Sequence, residues 1–193
     1  MINKLKYLEE WKQLAGHGNF KLAENLYFEK LFPEVVQQFS TKYNSLFPGD
    51  QEILISMLGF SPEPLILTAN AVKPTQHYII TTEVRDEIIS RIEEYVENDF
   101  ELIILKDASF NTVYKTLKEL FLKVDSDNVT LDITGGKKST VASAAIFGKD
   151  YRAKITYVDF SEYIKELRKP LPGSEILNVV YNPNKDQPEI FLK

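Results

Sequence analysis

The amino-acid sequence predicts an α/β protein: an open, mostly parallel sheet with helices on both faces, preceded by a helical appendage at the N-terminus. Two observations carry this. Short apolar runs alternate with amphipathic helical patterns from about Ile53 onward, the signature of strands joined by crossover helices. Before that point, from Leu5 to about Asn44, apolar residues recur at helical spacing only.

In the N-terminal stretch the helical stripe runs through Leu5, Leu8, Trp11 and Leu14, then Leu22, Leu26, Leu31, Val35 and Phe39. Gly16-His17-Gly18-Asn19 interrupts it, and Pro33 suits either the first turn of a further helix or a kink. Two or three helices are expected. The turn cluster Phe47-Pro48-Gly49-Asp50 marks the expected boundary between an appendage of residues 1–49 and a second domain of residues 50–193. Beyond it, Ile53-Leu54-Ile55-Ser56-Met57-Leu58 reads as a strand covered on both faces. Further strands are expected at Tyr78–Thr81, Leu102–Leu105, Val129–Ile133 and Ile155–Val158. Between them, Val84, Ile88, Ile89, Ile92, Tyr95 and Val96 form one buried stripe, and Phe110, Val113, Leu117, Leu120 and Phe121 form another. Val141 to Ile146 is a small-residue helix able to pack closely on a sheet. The proline-rich tail after Phe160 is less regular, with strands expected at Ile176–Val180 and near Glu189–Leu192.

Right-handed crossovers bring the C-terminal ends of such strands to one edge, and ligands bind there, where the strand order reverses. The architecture is therefore Rossmann-like. Composition narrows the ligand. A chain of 193 residues with 44% hydrophobic and 26% charged residues is ordinary for a globular protein. A formal net charge of -5 argues against broad contact with duplex nucleic acid, which needs a large basic surface. There is no cysteine, hence no thiolate metal site and no thiol nucleophile. No apolar run reaches the roughly 18 residues that span a bilayer, and no signal peptide is visible. A cytoplasmic protein is expected.

Two loops fall at strand C-terminal ends. The stronger is Asp132-Ile133-Thr134-Gly135-Gly136-Lys137-Lys138-Ser139-Thr140, leading into Val141-Ala142-Ser143. Paired glycines allow a sharp turn and close backbone approach. The helix that follows offers unpaired N–H groups and a positive dipole end, suited to phosphate. Lys137 and Lys138 add charge, and Ser139 and Thr140 can cap the helix or donate to phosphate oxygens. The plain alternative is a capping turn with solvated lysines; two lysines and two hydroxyls at one junction weigh against it. A Walker A loop is excluded, because its first glycine falls at Leu131 and its hydroxyl residue at Lys138. The second loop, Gly59-Phe60-Ser61-Pro62-Glu63-Pro64, follows the first strand and can reach the same ligand. No Gly-x-Gly-x-x-Gly is present, so no dinucleotide cofactor is expected.

Other positions say less. Thr81-Thr82-Glu83, Asp107-Ala108-Ser109 and Asp159 end strands and read equally as pocket borders or as caps. His17 and His77 have no metal-ligand spacing and are expected to be structural or solvated; Glu93, Glu94 and Glu97 look like one solvated helix face. No catalytic triad or metal cluster is apparent, and no catalytic residue is assigned.

On this scaffold the two loops resemble those of the CRISPR-associated Rossmann-fold (CARF) sensor domains, in which a Gly- and Ser/Thr-rich first loop faces an Asp-x-Thr-Gly-Gly-x-Lys loop. The resemblance spans roughly residues 51–183 and is most specific at Asp132–Lys138. The family often has a methionine where this chain has Thr140. The resemblance implies a homodimer that binds a cyclic oligoadenylate across its two-fold axis, as the sensor module of a type III CRISPR antiviral response. Its ligand contacts would come from Gly59, Phe60, Ser61, Thr134, Gly135, Gly136, Lys137, Lys138, Ser139 and Thr140, with no metal and no cofactor. Some CARF proteins also cleave the ring without metal, by in-line attack of a ribose 2′-hydroxyl. Lys137, Lys138, Ser139 and Ser61 would then stabilise the developing charge. A Rossmann-like enzyme for another nucleotide is the third reading.

Overall fold

The computed structural model describes residues 5–48, 52–124 and 128–185. Helix α1 (Leu8–Gly16) ends at the glycine interruption, where Gly18 takes a positive φ of 77°. Helix α2 (Phe20–Leu26) continues through a π turn (Tyr27–Leu31) into α3 (Phe32–Tyr43). Pro33 explains the π turn. It has no N–H to continue the α-ladder, so the turn ahead of it widens to absorb the register, and the Phe32 N–H reaches back to the Tyr27 carbonyl.

The expected strand and helix alternation follows: β1 (Ile53–Met57), α4 (Glu63–Val72), β2 (Gln76–Thr81), α5 (Asp86–Tyr95) and β3 (Phe100–Ile104). Then come α6 (Phe110–Phe121), β4 (Val129–Asp132), α7 (Lys138–Asp150) and β5 (Lys154–Phe160). A two-residue pair, β6 (Tyr163–Ile164) with β7 (Lys169–Pro170), precedes β8 (Glu175–Tyr181). The sheet order is β3-β2-β1-β4-β5-β8; only β8 runs antiparallel to its neighbour. The strand expected near Glu189–Leu192 lies outside the described residues, as do Gly49 and Asp50 of the boundary cluster.

Two cores sandwich the sheet. On one face Ile53, Ile55, Met57 and Leu131 pack under α6 and α7, through Val113, Leu117 and Phe147. On the other, Leu54 and Ile79 pack under α4 and α5, and this core runs on into Trp11, Leu31, Phe32 and Phe39 of the N-terminal helices. Phe32 stacks edge-on against Tyr95 of α5 at 5.1 Å, and the Tyr95 hydroxyl donates to the Phe28 carbonyl. Ser40 Oγ donates to the Asn70 carbonyl of α4 at 2.7 Å. The appendage is therefore continuous with the sheet's own core. Two expected stripe positions fall elsewhere: Val84 precedes α5 and is exposed, and Phe110 at the start of α6 is exposed while stacking on Tyr114. Both sit on loop ends, where helical periodicity no longer fixes direction.

The α4-facing side of the sheet is unusually polar. Ser56, His77, Thr130, Asp132 and Thr156 are all buried. His77 Nε2 lies 3.0 Å from Ser56 Oγ, and burial pushes the imidazole pKa down to about 4, so it is a neutral core residue. His17 is exposed, and so are Glu93, Glu94 and Glu97. At the N-terminal end of the strands, buried Glu52 accepts from Thr130 Oγ1 and pairs with Lys154 Nζ at 3.3 Å; that ammonium also caps the Phe47 ring at 4.6 Å. Breaking a buried pair leaves one charge uncompensated. Lys154→Met is expected to lower stability by about 3 kcal/mol, and adding Glu52→Gln should recover part of the loss, both read from urea denaturation.

Candidate ligand-binding site

Strand order reverses between β1 and β4, whose registers pair Ser56 with Asp132. The two loops singled out in the sequence leave the sheet at this switch point, and they touch through glycine. A Cβ on Gly59 would sit 2.8 Å from the Gly136 nitrogen and 3.3 Å from the Gly135 Cα. One on Gly135 would sit 2.1 Å from the Met57 carbonyl oxygen and 2.6 Å from the Gly59 nitrogen. No other residue type fits at Gly135. Gly136 adds a φ of +96°, which turns the chain outward into α7.

The remainder of the loop is set by Asp132 and Thr134. Asp132 Oδ1 accepts from the Thr134 N–H at 3.0 Å and from the Thr134 hydroxyl; Thr134 Oγ1 in turn accepts from the Val158 N–H of β5 at 2.8 Å. Asp132 Oδ2 is buried and has no partner, while Thr68 Oγ1 of α4 donates to the Pro64 carbonyl. Burial therefore pushes the Asp132 carboxyl up to about 6, with its Thr134 hydrogen bonds and, less, the nearby Thr68 hydroxyl pulling the other way.

Lys137 is the N-cap of α7 with extended backbone and supplies no capping side chain. No acidic residue stands in the first turn, and Lys137, Lys138 and Ser139 are exposed. Lysines at the positive end of a helix dipole are unfavourably placed until an anion arrives. First-turn N–H groups, two ammonium groups and the exposed Gly136 backbone thus stand together at one helix start, an arrangement chemically suited to an anion. Neither expected hydroxyl caps the helix. Ser139 Oγ donates to the Ala108 carbonyl at 2.7 Å, tying α7 to the start of α6. Thr140 is turned inward, 5% exposed, with its Cβ and methyl beneath Gly136.

In the first loop, Ser61 donates its hydroxyl to Glu63, and Phe60 is 80% exposed. Of the strand-end positions, Thr81 bonds within its own turn to Glu83, Ser109 caps α6, and Asp159 accepts from the Phe160 N–H. Sequence reasoning missed Arg85. Two residues beyond Glu83, it crosses from the β2–α5 loop to donate to the Gly59 carbonyl at 3.1 Å, and its guanidinium lies 5.1 Å from the Phe60 ring centroid. An Arg beside Asp86 reads as surface charge, and only the folded loop order brings it to this site. Among the described residues, no group of three His, Cys, Asp or Glu side chains is placed to hold a metal ion. A separate cleft of about 790 Å³ lies away from these loops, lined by α3, the end of α4 and the end of α5.

Two outcomes are expected at this site. Gly135→Ala should cost about 2–3 kcal/mol through the clash with Met57, seen as a lower urea midpoint. Asp132 titrates from an ordinary 3.8 to about 6 on folding, so the folded state holds its proton more tightly. The stability it supports is full below about pH 4 and falls as pH rises to about 6. His77 acts in the opposite sense, its contribution being lost as pH falls from about 6.5 toward 4. The difference between Asp132→Asn and the parent chain isolates the carboxyl. The variant should be the more stable near pH 7 and lose that advantage near pH 4; urea midpoints at both values check this.

No family model matches the chain. It is 26% identical over 189 residues to the CRISPR system endoribonuclease Csm6 of Thermus thermophilus, a match that covers 94% of this chain and 40% of that protein. The chain thus spans about two fifths of the length of this curated relative. Among solved structures, Can2 from Sulfobacillus thermosulfidooxidans, in complex with cyclic tetra-adenylate, matches with a TM-score of 0.51 and 18% identity over 56% of this chain and 32% of that one. No helix among the described residues is long and apolar enough to cross a membrane. The chain is thus similar in sequence to Csm6 over nearly its whole length, and it shares a Rossmann-like fold with Can2.

Proposed function

We propose that this chain is the cyclic oligoadenylate-binding sensor module of a type III CRISPR response, acting as a homodimer in the cytoplasm, with no metal, no cofactor and no contact with duplex nucleic acid. The observation that carries the reading is the backbone contact of Gly59 with Gly135 and Gly136 at the switch point, beside the exposed Lys137 and Lys138. Kinship with Csm6 and a fold shared with the cyclic tetra-adenylate complex of Can2 support the same ligand class. A cyclic oligonucleotide is a ring of phosphates and ribose hydroxyls. Each subunit of a two-fold dimer would present one such cradle to it. The exposed N-terminal amides of α7 and the two ammonium groups hold phosphate, and the Gly135-Gly136 backbone lets the ring approach closely.

Sensing is favoured over cleavage by one observation. Of the four side chains available to stabilise a developing charge, Ser61 and Ser139 have their hydroxyls committed to Glu63 and to the Ala108 carbonyl. Ligand binding then acts by favouring one dimer arrangement over another, which requires a difference in affinity between the two. The N-terminal helices transmit it, because they share a core with α4 and α5, which begin directly after the loops that carry Gly59 and Arg85.

Calorimetry with cyclic tetra- and hexa-adenylate, with the solution mass recorded alongside, tests the reading. Lys137→Ala with Lys138→Ala should weaken binding at least about tenfold and leave the thermal midpoint within about 2 °C. Unchanged affinity contradicts the phosphate cradle. Linear products on incubation with the parent chain would move the assignment to a ring nuclease.

A further inference from the structure

We infer that Phe60, backed by Arg85, is the platform on which a purine base of the phosphate-bound ligand stacks. The inference deepens the nucleotide reading above and rests on it. Phe60 follows the Gly59 contact directly and is 80% exposed, although it is a large apolar side chain at the ligand edge of the sheet. Its ring is backed on one side only: the Arg85 guanidinium lies 5.1 Å from the centroid. The same guanidinium donates from Nη2 to the Gly59 carbonyl at 3.1 Å, and Arg85 Nε is buried without a partner. Arg85 thus fastens the loop and the ring together, and the other ring face stays open to solvent.

An aromatic ring held beside a phosphate cradle is how proteins grip nucleotides without reading their edges, since every base offers a π-face. The cation beneath the ring draws density from it by the cation–π interaction. The outer face becomes a better partner for an electron-rich purine, whose two fused rings overlap it more than a pyrimidine does. Gly59 itself touches Gly136, so the platform and the lysine cradle are fixed relative to one another by a single backbone contact. Arg85 is a positioning residue in this arrangement, and Phe60 is the group that meets the base.

The test uses the full chain and cyclic tetra- and hexa-adenylate in which one adenine is replaced by 2-aminopurine, whose emission is quenched by stacking. The parent chain is expected to bind and quench. Phe60→Ala should raise Kd about tenfold or more and abolish the quenching, Phe60→Trp should restore both, and Lys137→Ala should weaken binding while leaving the quenching at saturation intact. Parent-like affinity and quenching in Phe60→Ala overturn the platform and leave the phosphate site standing. A changed solution mass in Phe60→Ala with quenching retained also overturns it, assigning the ring to a contact between copies. Failure of the parent chain to bind either ring overturns this inference together with the nucleotide reading.

Discussion

The close approach of Gly59 to Gly135 and Gly136 is the constraint on which the ligand edge of this protein depends. Two loops that leave neighbouring parallel strands must diverge into their own helices, and side chains normally keep them apart. Here the backbones touch, leaving no room for a Cβ at Gly135. Close contact fixes the N-terminal end of α7 against the loop that carries Phe60. Arg85 reinforces it from a third loop by holding the Gly59 carbonyl. Three βα loops thus converge through one backbone contact and one guanidinium.

Beneath that contact the sheet is more polar than a core requires. Asp132 shapes the loop through Thr134 and so through β5, at the cost of a buried carboxyl oxygen with no partner. An apolar residue at this position would spare that cost but could not hold Thr134 in its turn. His77 and Asp132 titrate in opposite senses over the same acid range, so their effects on stability partly cancel. Unsatisfied polarity at a strand end, beside uncapped helix amides, is the kind of local inconsistency that functional sites carry.

The alternation of apolar runs and amphipathic stripes made the parallel strands and the crossover helices legible, because strands covered on both faces are nearly all apolar. The edge strand β8 was legible from its run of apolar, β-branched residues, whereas the short β6–β7 pair was not: two residues carry no period. The candidate site was legible at Asp132–Lys138, where glycines, lysines and hydroxyls share one junction. The role of each hydroxyl was not. Ser139 and Ser61 have partners distant in sequence or of opposite chemistry, and Thr140 points inward because Gly136 leaves space above it. Arg85 escaped notice because its partners, Gly59 and Phe60, lie some two dozen residues earlier and meet it only after β2 has paired with β1. Likewise, nothing in the N-terminal periodicity says which surface those helices cover, which is fixed by Phe28, Phe32 and Tyr95 coming together.

Amide chemical-shift mapping during titration with a cyclic oligoadenylate tests the central claim most directly, because it reads the backbone that is proposed to meet the ligand. The largest shifts are expected at Gly135, Gly136, Lys137 and Lys138, with a second group at Gly59, Phe60 and Ser61. Shifts confined to the cleft between α3 and α5, with both glycine loops silent, would contradict it.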